Sequence, residues 1–96
     1  MKIDFSKSNG ELTVAMDGRL DTTTAPELER ILMENYGGTV HLTFNCERLS
    51  YISSAGLRVL LTAHKKMKGA MCLTGVSELV MDVLEMTGFA DIWEIK

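Results

Sequence analysis

The spacing of apolar residues along this chain changes period repeatedly, from two in short runs to three and four in longer ones. That alternation constrains the fold more than any single residue does. Residues 2–7 and 11–17 read as strands around the turn-forming cluster Ser8, Asn9 and Gly10, with Leu12, Val14 and Met16 alternating against Glu11, Thr13 and Asp17. Helical spacing follows over 25–36, where Leu28, Ile31, Leu32 and Tyr36 share a side. Thr24 is the expected N-cap there, Pro26 sits in the first turn, Glu27 closes a capping box, and Gly37-Gly38 ends the helix. Residues 39–46, rich in β-branched and aromatic types, predict a central strand. A second helix over 55–68 carries Leu57, Leu60, Leu61 and Met67, is capped by Ser54 or Ser53, and ends in Lys65, Lys66 and Lys68 before Gly69. A short strand at 70–74, a helix at 78–87 capped by Ser77 with Val80, Val83, Leu84 and Thr87 on one face, and a strand at 92–95 complete the order.

Strands alternating with helices after an opening hairpin define an α/β protein: a four- or five-stranded mixed sheet, mostly parallel, with right-handed crossovers and three or more helices covering it. Sheets of this kind meet ligands and partners at the carboxyl ends of their strands. Two loops are expected at that edge, Gly18 to Thr24 and Glu47 to Ser54.

Ninety-six residues, 46% of them apolar, fit one domain spanning 1–96 with one core. The formal charge of −3 repels phosphate backbones and anionic lipid, so nucleic acid and membrane surfaces are poor partners. With no run of about eighteen apolar residues and no apolar stretch after Met1, a cytoplasmic location is expected. Cys46 and Cys72 stand apart, in neither a redox nor a zinc spacing, and read as buried small hydrophobes; no metal or cofactor site is expected. Met67, Met71 and Met86 read as core filling, whereas Met33 and Met81 fall near polar helix faces.

The richest segment runs from Leu49 through Ser53, Ser54, Ala55, Gly56 and Leu57 to Leu61. Two hydroxyls stand at a strand-to-helix turn, and a glycine follows where it costs about 1 kcal/mol relative to alanine, which implies close approach of something to the backbone. Ser54 reads either as a plain N-cap or as an acceptor for a phosphoryl group, whose charge the free N–H groups of a helix start stabilise.

These residues resemble the STAS domain family of bacterial anti-sigma factor antagonists, in which an apolar-Asp-Ser-Ser/Thr-Gly-Leu pattern opens a helix. Ile52-Ser53-Ser54-Ala55-Gly56-Leu57 occupies that pattern, with Ser54 on the phosphoacceptor position. Gly18-Arg19-Leu20-Asp21 is similar to the family's Gly-x-Leu/Ile-Asp, Ala25-Pro26-Glu27-Leu28 to its first helix start, and Asn45 takes an Asp/Asn position near the end of strand three. The likeness covers almost the whole chain, with two departures: Ser53 replaces the usual Asp, and Ala55 the second hydroxyl. It implies a non-enzymatic partner-switching regulator that binds an anti-sigma factor serine kinase and releases the sigma factor. That kinase would phosphorylate Ser54 from ATP, and a serine phosphatase would reset it. The partner-binding set so implied is Asp21, Ser53, Ala55, Gly56 and Arg58. For Asp21, a local turn bonded to nearby N–H groups is the competing expectation.

No hydrolytic site fits Ser54. His64 lies ten residues along the same helix, about 15 Å away at ~1.5 Å per residue, and His41 near the far end of strand three. The alternative to the switch is a STAS interaction subunit of a transporter or larger signalling complex whose serine is never phosphorylated.

Overall fold

The computed structural model describes residues 1–96. Its elements are β1 (Lys2–Ser8), β2 (Glu11–Leu20), α1 (Ala25–Asn35), β3 (His41–Ile52), α2 (Ser54–Lys66), β4 (Met71–Thr74), α3 (Glu78–Thr87), a 3-10 turn at Phe89–Asp91 and β5 (Glu94–Ile95). The sheet has five strands in the order β1-β2-β3-β4-β5, with β1 antiparallel to β2 and every other pair parallel. It is the mixed α/β sheet expected from the alternation of periods.

Each crossover from β2 onward steps the same way across the sheet. Right-handed connections therefore put α1, α2 and α3 on one face. Leu12, Val14, Met16, Leu42, Phe44 and Cys46 on that face are sealed beneath the helices. Thr13, Ala15, Thr43 and Asn45 point the other way and stay partly exposed. The helices thus cover one face of the sheet and leave the other open to solvent.

β2 and β3 both run further than the expected 11–17 and 39–46, so the loop expected over Glu47 to Ser54 is strand as far as Ile52. The reason is a pair of bulges. Between Ala15↔Asn45 and Asp17↔Arg48, β3 spends three steps to two on β2, and a second extra residue falls between Gly18↔Leu49 and Arg19↔Tyr51. The insertion leaves Glu47 and Arg48 exposed in succession and hides the strand's period. Gly18, at φ +117, supplies backbone freedom at the bulge, and its carbonyl accepts a hydrogen bond from the Ser50 hydroxyl at 3.0 Å.

β3 begins at His41 because Gly38 turns the chain and the N–H groups of Val40 and His41 both donate to the Gly10 carbonyl. At the other end only Glu94 and Ile95 pair, while Ile92 leaves the sheet after the 3-10 turn and Trp93 is buried, stacked on Phe89 with ring centroids 4.5 Å apart. Cys46 and Cys72 are buried, as expected, and burial pushes the Cys46 thiol up to about 12. Met67 and Met71 fill the core, but Met86 is 86% exposed on the outer side of α3, and Thr87, expected on the inner face, is exposed at the end of the helix.

Candidate functional site at the carboxyl edge of the sheet

β2 and β3 end together at the register pair Leu20↔Ile52, so the residues that follow, Asp21 and Ser53, begin neighbouring turns. The Ser53 N–H donates to the Leu20 carbonyl at 2.9 Å and ties the two turns. The parallel ladder thereby brings together two motifs that the sequence holds far apart.

Thr24 takes the expected N-cap position of α1, but the side chain that bonds the turn ahead of the helix is Asp21. The Asp21 carboxylate accepts hydrogen bonds from the Thr23 N–H at 3.0 Å and the Thr24 N–H at 3.2 Å, while the Thr24 hydroxyl donates to the Arg19 carbonyl at 2.7 Å. Thr24 makes no side-chain cap of its own. Desolvation alone would raise the Asp21 carboxyl, but the Thr24 and Thr23 N–H groups, the Thr24 hydroxyl and the Arg19 charge together hold it below the usual carboxylate value. Arg19 Nε lies 3.9 Å from Asp21 Oδ2, and its guanidinium stacks 4.2 Å over the Tyr51 ring. Of the two expectations for Asp21, local bonding to a turn is present; its carboxylate nonetheless borders the site.

At α2 the cap is Ser53. Its hydroxyl accepts from the Gly56 N–H at 3.4 Å. Ser54 is then the first helical residue, exposed, with its hydroxyl free of any cap. Gly56 is buried, and a Cβ there would lie 2.7 Å from Leu20 Cγ and 3.0 Å from Ile52 Cγ1. The close approach expected at this glycine therefore comes from the chain's own β2 and β3 ends, and Gly56 stands behind the surface, not on it.

Ser54 and Arg58 flank a groove of about 310 Å³ between α2 and the end of α3, lined also by Leu57, Leu61, Thr87 and Phe89. On the other side of α2, Ala55, Arg58 and Val59 face Thr22, Ala25, Pro26 and Glu29 of the α1 region across a second groove of about 270 Å³. Of the residues singled out in the sequence, Asp21, Ser53, Ser54, Ala55 and Arg58 gather at this edge. Leu61 reads in the sequence only as an apolar helix position, and Phe89 and Glu29 have no signal of their own, because tertiary packing alone brings them there. His41 opens β3 at the opposite edge and His64 lies near the end of α2, so no imidazole reaches the Ser54 hydroxyl.

The family model for the STAS domain matches residues 2–96. The chain belongs to the STAS domain family. Among its relatives, BtrV of Bordetella bronchiseptica is 32% identical, with 99% of this STAS chain and 85% of BtrV covered. The anti-sigma-B factor antagonist of Staphylococcus aureus is 31% identical, with 100% and 93% covered. In fold, this STAS protein is similar to the Bacillus anti-sigma factor antagonist SpoIIAA. The unphosphorylated form superposes with a TM-score of 0.79 at 15% identity, covering 99% and 87% of the two chains; the phosphorylated form gives 0.77 at 16%, covering 99% and 91%.

Proposed function

We propose that this STAS protein is a cytoplasmic anti-sigma factor antagonist that works by partner switching, with Ser54 as its phosphoacceptor. The observation that carries the reading is the placement of Ser54, exposed at the first position of α2 and beside the Asp21 turn, in a chain 31% identical to an anti-sigma-B factor antagonist. Unmodified, the edge formed by Asp21, Ser53, Ser54, Ala55 and Arg58, with Gly56 supporting it from beneath, docks an anti-sigma factor serine kinase and frees the sigma factor. In the kinase reaction the Ser54 oxygen bonds to the γ-phosphorus of ATP, the bond to the β-phosphate oxygen breaks, ADP leaves and the hydroxyl proton passes to a base of the kinase. A serine phosphatase reverses the modification by hydrolysis.

Phosphate on Ser54 adds about −1.5 to −2 charges beside Asp21 and must be desolvated at any interface, so it weakens docking. The exchange of Asp for Ser at position 53 is compatible with this chemistry, because a serine hydroxyl caps a helix about as well as an aspartate does. What changes is the charge beside the acceptor, not its position.

Incubation with an anti-sigma factor kinase and ATP, read by intact mass, tests the assignment. One phosphate, about 80 mass units, is expected on the parent chain and none on Ser54→Ala; equal labelling of both would place the acceptor elsewhere. No labelling of the parent by a kinase that binds it would favour a constitutive STAS interaction subunit.

A further inference from the structure

Arginines in this molecule come with carboxylates nearby, with one exception. Arg19 lies within 4.0 Å of Asp21, Arg30 of Glu34 and Arg48 of Asp17, while Arg58 has no carboxylate within that distance. Arg58 is exposed and stands one helical turn after Ser54, at i+4. Helical side chains lean toward the N-terminus of their helix, so the stem of Arg58 extends back over the turn that carries Ser54. An acid preceding a base by four residues is the favourable order for an ion pair on a helix. Both residues line the α2–α3 groove, and Arg58 also borders the α1–α2 groove, where Glu29 is the carboxylate it shares space with.

We propose that Arg58 is a built-in receptor for phosphate on Ser54: once the phosphoryl group is in place, the guanidinium closes on it across one helical turn and leaves the side of α2 that faces Glu29. The inference rests on Ser54 being the phosphoacceptor. It changes what the modification does to the surface. The docking edge then gains a dianion and also loses its one free arginine, so a partner with acidic groups opposite Arg58 is refused twice. Because a guanidinium presents a planar fork of donors, it holds phosphate more firmly than an ammonium at the same position.

The test uses the full chain with phosphoserine installed at position 54 during translation, so that no kinase is needed, beside the same protein carrying Arg58→Gln or Arg58→Lys. The second ionisation of the phosphate is followed by phosphorus NMR across pH 4–8, the range that brackets an ordinary phosphoserine value near 6. The neighbouring acids Asp21 and Glu29 push that ionisation up, Arg19 beside Asp21 opposes them, and these groups and the α2 N-terminus act equally on all three proteins. A value about 0.15–0.35 unit lower in the parent than in Arg58→Gln is expected from the size of i,i+4 ion pairs, with Arg58→Lys between them. Coincident titrations in the parent and Arg58→Gln would overturn the proposal. Failure of a kinase to label Ser54 would instead strike at the acceptor assignment and leave this result standing.

Discussion

Helices α1 and α2 begin at the same edge of the sheet, just beyond the ends of paired strands, yet their starts are built in opposite ways. The α1 start is electrically complete: the Asp21 carboxylate takes the N–H groups ahead of the helix and Glu27 lies in its first turn. The α2 start has a neutral Ser53 hydroxyl on one N–H, no acid in its first turn, and a glycine wedge beneath it. A helix N-terminus carries about half a positive charge that an anion offsets. At α1 the chain supplies that anion permanently, whereas at α2 it supplies only hydroxyls, one of which, Ser54, we propose to be phosphorylated. The same edge therefore holds a charged helix start and a neutral one, side by side.

The largest way to break the contrast is to remove the wedge. Gly56→Val puts a branched side chain against Leu20 and Ile52 and should lower stability by about 3 kcal/mol, the upper range for overpacking. In thermal unfolding followed by circular dichroism that is a drop of about 15 °C; a loss of under 3 °C would mean that α2 can lift from the strand ends without penalty. A milder break comes from Ser53→Ala, which removes the α2 cap and should cost about 1 kcal/mol, or roughly 5 °C. An unchanged midpoint would show that the 3.4 Å hydrogen bond to Gly56 contributes nothing.

The smallest effect is the one that sharpens the comparison, because it separates a charged start from a neutral one. The Asp21 carboxyl titrates below its ordinary value of 3.8, so in acid the unfolded chain binds its proton first. The stabilisation it contributes is present above that ordinary value and fades as pH falls through the lower native one. The stability difference between the parent and Asp21→Asn should therefore be largest near neutrality and vanish in strong acid, while the difference for Ser53→Ala stays level across the same range. Parallel profiles for the two variants, measured by urea unfolding at successive pH values, would remove the electrostatic distinction between the helix starts.

The order of elements was legible because buried residues in strands and helices must repeat at two different periods. The site was legible where its chemistry is local, as in Ile52-Ser53-Ser54 running into a helix. Where a second strand decides the outcome, sequence falls short. Glu47 and Arg48 look like loop because their period breaks, but the break is a bulge whose cause is the register with β2. Thr24 holds the α1 N-cap position without a side-chain cap because its hydroxyl is turned back onto the Asp21 N–H and the Arg19 carbonyl, partners that only the folded turn supplies. Met86 reads as core filling from its residue type alone, yet it lies two residues after buried Leu84, about 200° round the helix, and faces outward. The uncovered sheet face follows from strand order, which periodicity does not encode.

The ladder between β2 and β3 also has a kinetic meaning. Asp21 and Ser53 are 53 − 21 = 32 positions apart and become neighbours only when that parallel pair has zipped to its last rung. Closing a loop of that length costs entropy before any contact at its end is gained, so the edge is expected to form late in folding. A chain still emerging from the ribosome, or one opened by heat, displays Ser54 without its Asp21 neighbour. With Ser54 as the proposed phosphoacceptor, an enzyme that requires both turns would leave unfinished copies unmarked, and their proximity would report that the whole sheet is closed.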